Sequence, residues 1–111
     1  WVREYTQTGK RHYHMILLLN KDVFYHLGDY DVELVTLRTM IITAWCSALS
    51  IHPDVGQGLV HFADTGKSEL YLKDVESGLY PVELLNRIDY MAKEKSKIFE
   101  DGNRNFGCSI K

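Results

Sequence analysis

Apolar and polar residues alternate in short stretches near the start of the chain and take helical spacing in two longer stretches further on. Trp1 to Tyr5 reads as extended, Thr6-Gln7-Thr8-Gly9 as a turn, and His12 to Leu19 as an apolar segment of strand length ending at Asn20-Lys21-Asp22. Two such runs around a Gly-containing loop predict a β-hairpin. Asp22 to Asp31 is mixed and reads as irregular. From Val35 to Leu49, apolar residues at Val35, Ile41, Ile42, Trp45, Ala48 and Leu49 predict a helix with one buried face. The run His52-Pro53-Asp54-Val55-Gly56 breaks it. Leu59 to Ala63 and Glu69 to Lys73, around Asp64-Thr65-Gly66-Lys67, predict a second hairpin. Pro81 stands where a helix begins, and Val82 to Phe99 carries the last helix before Asp101-Gly102-Asn103. The expected fold is α+β: an antiparallel sheet of about four strands packed with two main helices.

A length of 111 residues allows one domain, residues 1–111. Hydrophobic residues at 45% and charged residues at 25% exclude a disordered or collagen-like chain. The longest apolar run, Met15 to Leu19, is far short of the roughly 18 residues of a membrane helix, so no membrane partner is expected. Cys46 and Cys108 form neither a zinc spacing nor a disulfide framework, which points to a cytoplasmic protein. The chain opens on Trp1 in a strand-like stretch, so a fragment of something longer is expected.

Charge is unevenly spread. Residues 1–21 are net +3, residues 22–80 net −6 and residues 81–111 net +1. The bulk field therefore does not attract nucleic acid, and any phosphate contact has to be local, at the two ends of the sequence.

The chemistry concentrates there too. His12 and His14 alternate along a strand, so both imidazoles leave one face about 7 Å apart while Tyr13, Met15 and Leu17 take the other. Neutral imidazoles at that spacing can share one ion, or can equally be two half-buried, hydrogen-bonded histidines. Glu4 lies on the preceding strand, and the loop register decides whether it faces the same side. One carboxylate and two imidazoles suit Mn, Mg, Fe or Zn. On the last helix, Leu84, Leu85, Ile88, Met91, Ala92 and Phe99 form one stripe, and Tyr90 points away from it with Asn86, Lys93 and Lys97. Tyr90 is then either a solvated surface residue or a positioned nucleophile. Lys93, one turn on, is a cation that favours the phenolate and can hold a phosphate.

Glu4, His12-Tyr13-His14 and Met15-Ile16-Leu17-Leu18-Leu19 together resemble the second motif of the rolling-circle replication initiators, the HUH endonucleases. Tyr90-Met91-Ala92-Lys93 resembles their third motif, Tyr-x-x-Lys. The wider string Arg3-Glu4-Tyr5 through Gly9-Lys10-Arg11-His12-Tyr13-His14, with Asn105-Phe106-Gly107-Cys108, resembles in particular the inovirus gene-two-like (YagK/YfjJ C-terminal) family of phage and prophage proteins. The resemblance implies an HUH/Rep-like domain, N-terminally truncated because the first motif lies on an upstream strand. It implies site-specific nicking of single-stranded or hairpin origin DNA, with a host polymerase and helicase as further partners. Glu4, His12 and His14 would hold Mg or Mn, Tyr90 would attack to leave a 5′-phosphotyrosine, and Lys93 would orient the phosphate. Arg3, Lys10, Arg11 and Lys97 are the candidates for the DNA backbone. A DNA-binding or regulatory prophage module of the same fold, without catalysis, is the alternative. A two-histidine-one-carboxylate iron oxygenase is a third reading, though that class usually takes a jelly-roll sheet.

Overall fold

The hairpin forms where strand alternation and turn chemistry agree. In a computed structural model describing residues 1–28, 35–64 and 67–110, β1 (Val2–Tyr5) pairs antiparallel with β2 (Arg11–His14). The turn closes with Gly9 N–H donating to the Thr6 carbonyl at 2.9 Å and Thr6 N–H to the Lys10 carbonyl at 2.9 Å. Gly9 has φ +78°, a left-handed conformation that costs an L-residue with a Cβ roughly 1–2 kcal/mol. A Cβ there would meet nothing within 4 Å. Gly9→Ala should therefore lower stability by about 1 kcal/mol through the backbone alone, read as a shift in a urea unfolding midpoint.

The second strand is shorter than expected. The register sets Val2 opposite His14, so Met15 would face Trp1. Trp1 gives its backbone N and O to Gly107, at 2.8 and 3.0 Å, on the edge of β1 where Arg3 N–H meets Asn105. The ladder ends at His14, and Met15–Leu19 lies outside the strand with every side chain exposed.

The chain divides into two compact units: residues 1–18 with 68–111, and residues 19–67. In the second unit, α1 (Leu37–Ala48) starts at Thr36, whose side chain accepts from Thr39 N–H while the Thr39 hydroxyl accepts from Thr36 N–H. This reciprocal cap satisfies two donors that a helix start leaves orphaned. Thr39, Ile42 and Cys46, at helical spacing, form the buried face. The expected breaker at Pro53 also starts a helix. His52 accepts from Asp54 N–H and caps α2 (Pro53–Gly56), which runs into a 3₁₀ turn, Gln57–Leu59.

The first unit holds the hairpin, α3 (Leu72–Glu76) and α4 (Val82–Ala92). The expected second hairpin is corrected here. Leu59 closes the 3₁₀ turn, residues 60–63 lie outside any strand, and Leu72–Glu76 is helical. Thr65 and Gly66, in the turn expected between those runs, lie outside the described residues, as do residues 29–31 of the irregular stretch. Leu72 and Val75 sit three apart, a helical rather than alternating spacing. The described fold is thus a small mixed α/β arrangement with a two-stranded antiparallel sheet and four helices, not four strands with two helices. No described helix is long and apolar enough to cross a membrane.

Candidate active site around Glu4

β1 is held on both edges. Arg3 N–H donates to the Asn105 carbonyl at 2.8 Å and Tyr5 N–H to the Ser96 carbonyl at 2.7 Å, while Val2 bridges Phe106. The C-terminal stretch thereby covers the edge that β2 leaves open and protects it from pairing elsewhere. Gly107 permits this closeness: a Cβ there would come within 2.4 Å of the Trp1 ring.

The register settles the question that the sequence leaves open. Glu4 pairs with His12, so Glu4, His12 and His14 share one face, and Arg3, Tyr5, Arg11 and Tyr13 share the other. On the first face the His12 and His14 rings meet edge to face at 4.7 Å between centroids. His14 Nε2 lies 3.1 Å from Glu4 Oε2. Tyr90, at the C-terminal end of α4, sets its ring edge to face with His14 at 6.0 Å. Lys93 places Nζ 3.4 Å from the Tyr90 ring centroid and 3.6 Å from Glu4 Oε2. Lys97 Nζ lies 3.2 Å from Glu4 Oε1. One buried carboxylate thus gathers two ammonium groups and an imidazole beside an exposed phenol.

The titration directions follow from that clustering. Burial pushes the Glu4 carboxyl up, but the hydrogen bond from Lys97 and the charges of Lys93, His14 and Lys97 outweigh it, leaving the group below its ordinary value. The Lys93 ammonium is raised, first by its hydrogen bond with the Tyr90 phenol and then by Glu4, against some desolvation.

A second polar knot lies on the far face. The Arg3 guanidinium donates to Asp101 Oδ1 at 3.0 Å, to Asn105 Oδ1 at 2.9 Å and to the Asn103 carbonyl at 3.3 Å. The Arg3 hydrogen bond, helped by Asn103, lowers the Asp101 carboxyl to about 2 from its ordinary 3.8. A depressed carboxyl adds stability that is complete above its unfolded value and lost as pH falls through the folded one. Unit stability should therefore fall from about pH 4 toward pH 2, and Asp101→Asn should flatten that dependence in thermal melts followed across the same range.

The profile of the YagK/YfjJ C-terminal domain family matches residues 1–109. The chain belongs to this family. It is 54% identical over 109 residues to the uncharacterized protein YfjJ of Escherichia coli (strain K12), covering 98% of this chain and 52% of that protein. The uncharacterized protein YagK of the same strain is 49% identical over the same coverage. The chain thus spans about half the length of the curated relatives it matches. No solved structure matches.

In this YagK/YfjJ C-terminal domain, the expected site residues separate into two groups. Glu4, His12, His14, Tyr90 and Lys93 come together. Arg3 and Lys97, expected on a DNA backbone, do not face solvent: they are 2% and 8% exposed, and each is held by internal acceptors. A buried cation costs much solvation unless fully paired, so these two are committed to the fold's own carboxylates. Lys10 and Arg11 are exposed; Arg11 lies on the face away from the histidines, against the Tyr5 and Tyr13 phenols, which raise its guanidinium above the usual value.

Lys93 also departs from expectation. α4 ends at Ala92 rather than Phe99, and Lys93 leaves it with ψ 148°. It reaches Tyr90 from an extended backbone, not from the next helical turn. On the apolar stripe expected of this helix, Leu84 and Met91 are half-buried while Leu85 and Ile88 are exposed. The sequence reading missed Asp101 and Asn105 as partners of Arg3, although Asn105-Phe106-Gly107 was part of the string that carried the resemblance.

Among the described residues, no three His, Cys, Asp or Glu side chains are gathered as a metal site. One carboxylate and two imidazoles are donor types that a divalent transition ion such as Mn, Fe or Zn can take. Glu4 Oε2 and His14 Nε2, 3.1 Å apart, are hydrogen-bonded to each other, so an ion held by both would replace that bond.

Proposed function

We propose that this chain carries the chemistry of an HUH-type, metal-dependent nickase and strand transferase acting on single-stranded DNA in rolling-circle replication of a phage or prophage. The observation that supports this most is the Tyr90 ring at 6.0 Å from His14, with the Lys93 ammonium between the phenol and Glu4. Residues far apart in sequence meet there, and this reading gives them the roles of nucleophile, cation and ligand set.

In this reading the Tyr90 oxygen attacks the scissile phosphorus. A phosphorus–Tyr90 oxygen bond forms, the bond to the 3′-oxygen breaks, and the departing 3′-oxygen takes a proton as the phenol loses one. The products are a 5′-phosphotyrosine and a free 3′-hydroxyl. Attack by a 3′-hydroxyl on the phosphotyrosine reverses the step and transfers the strand. Lys93 stabilises the phenolate and the charge on the phosphate. Glu4 accepts from Lys93 and, until a metal takes the place of that hydrogen bond, from His14. His12, His14 and Glu4 Oε2 would hold Mg²⁺ or Mn²⁺, which supplies charge stabilisation at the non-bridging phosphate oxygens.

The decisive experiment uses the full-length parent protein, labelled single-stranded DNA from its own replicon, and Mg²⁺ or Mn²⁺. The expected result is a denaturant-resistant protein–DNA adduct whose digestion leaves the nucleotide on Tyr90. Binding of the same DNA with no adduct under either metal would favour the alternative, a DNA-binding module without catalysis. That alternative draws support from Glu4, whose two oxygens already face Lys97 on one side and His14 with Lys93 on the other.

A further inference from the structure

The proposed chemistry makes no use of Lys97, whose side chain is completely buried. A lysine ammonium has three N–H donors, and this one has three acceptors: Glu4 Oε1 at 3.2 Å, the Met91 carbonyl at 2.8 Å and the Lys93 carbonyl. The two carbonyls belong to the C-terminal end of α4, where helical carbonyls lack partners and the helix dipole is negative. The last turn of α4 has no basic residue of its own. Lys97, returning from the turn beyond the helix, takes that place.

The same segment is tied to the sheet through its backbone, since Ser96 accepts from Tyr5 N–H. Tyr90 lies in that last helical turn, next to one captured carbonyl and three residues before the other. Glu4, at the other end of the tie, is the carboxylate that accepts from His14.

We infer that Lys97 is a positioning residue that fixes Tyr90 against the histidine face by tying the end of α4 to Glu4 with one buried ammonium. It touches neither the DNA nor the reacting atoms. Without it, the orphan carbonyls of α4 and the Oε1 side of Glu4 lose their shared cation, and the helix end is free to swing from β1. A displacement of about 1 Å at a nucleophile is enough to cost roughly 10²-fold in rate. The inference rests on the proposed function for its rate consequence, while the geometric tie is testable without any activity.

The test uses full-length protein as wild type, Lys97→Met and the double variant Glu4→Gln/Lys97→Met. The double variant removes both charges, so that neither partner is left buried and unpaired if the single change unfolds the chain. Two quantities are read: nuclear Overhauser contacts between the Tyr90 and His14 rings, and the single-turnover adduct rate at saturating DNA beside the DNA dissociation constant. Lys97→Met should lose the ring contacts and about 10²-fold in adduct rate; the double variant, which also alters a proposed metal ligand, is read by the ring contacts alone. The DNA dissociation constant should stay within threefold. Ring contacts and rate both preserved in folded Lys97→Met, or ring contacts preserved in the folded double variant, would overturn the inference and leave the proposed function standing. Loss of amide dispersion in both variants would make Lys97 a folding residue only, which also overturns it. Should wild type form no adduct, the proposed function fails, and the ring contacts alone then decide the tie.

Discussion

Tyr90→Phe should abolish adduct formation, lowering its rate by about 10⁴-fold or more, while leaving the fold and the affinity for single-stranded DNA nearly unchanged. The large effect follows from the role proposed for the phenol: it forms the covalent bond, and a ring without the oxygen cannot replace it. The small effect on the fold follows from exposure. Tyr90 is 59% exposed, and the substitution keeps the ring that meets His14 edge to face and underlies the Lys93 ammonium. Stability should shift by no more than about 1 kcal/mol, since the exposed phenol gives up only its hydrogen bond with Lys93. Quantifying denaturant-resistant adduct against time, with DNA binding by fluorescence anisotropy in parallel, checks both halves. Persistence of the adduct in Tyr90→Phe would place the nucleophile elsewhere and remove Tyr90 from the site.

Arg3→Met should have the largest effect on stability, about 3–5 kcal/mol. Arg3 is 2% exposed, and its guanidinium organises Asp101, Asn105 and the Asn103 carbonyl from the C-terminal stretch. Removing one member of a buried charge network strands the others without partners, which costs several kcal/mol. The methionine keeps the apolar volume, so the loss reports the polar network rather than a cavity. That stretch also pairs with β1 through Asn105 and Gly107, so the variant should loosen the hairpin edge as well. Denaturant unfolding measures the loss, and faster hydrogen exchange at the Arg3 and Gly107 amides locates it. A change under 1 kcal/mol would mean that the guanidinium is better solvated than the buried geometry implies.

The comparison between Arg3 and Lys97 on one side and Lys10 and Arg11 on the other marks where sequence reasoning stops. All four read as bases near the chain ends, suited to a phosphate backbone. Nothing in their spacing distinguishes a solvated cation from one held by a carboxylate about a hundred residues away, because the pairing depends on which segments lie side by side. Arg3 meets Asp101 only because the C-terminal stretch runs along β1. Lys97 meets Glu4 only because α4 stops at Ala92 and the chain turns back.

Local signals did determine several elements. The turn residues Thr6–Gly9 and the alternation around His12 and His14 specify the first hairpin, since the left-handed glycine and the side-chain period are properties of a few consecutive residues. The apolar spacing within residues 35–49 and Pro81 before residue 82 likewise specify α1 and α4. Glu4, His12, His14, Tyr90 and Lys93 were legible as an ordered set of candidates, but not that they meet.

Only the tertiary structure decided the rest. Register put Glu4 on the histidine face, because a shift of one residue would have sent it to the other side. The ladder ended at His14, whatever the strand propensity of Met15 to Leu19. The short apolar run near Leu72 became a helix rather than a strand, since a strand needs a neighbour and a helix satisfies its own backbone. Sequence fixes what a segment can do within a turn or two; partners brought from afar determine which of those options is taken.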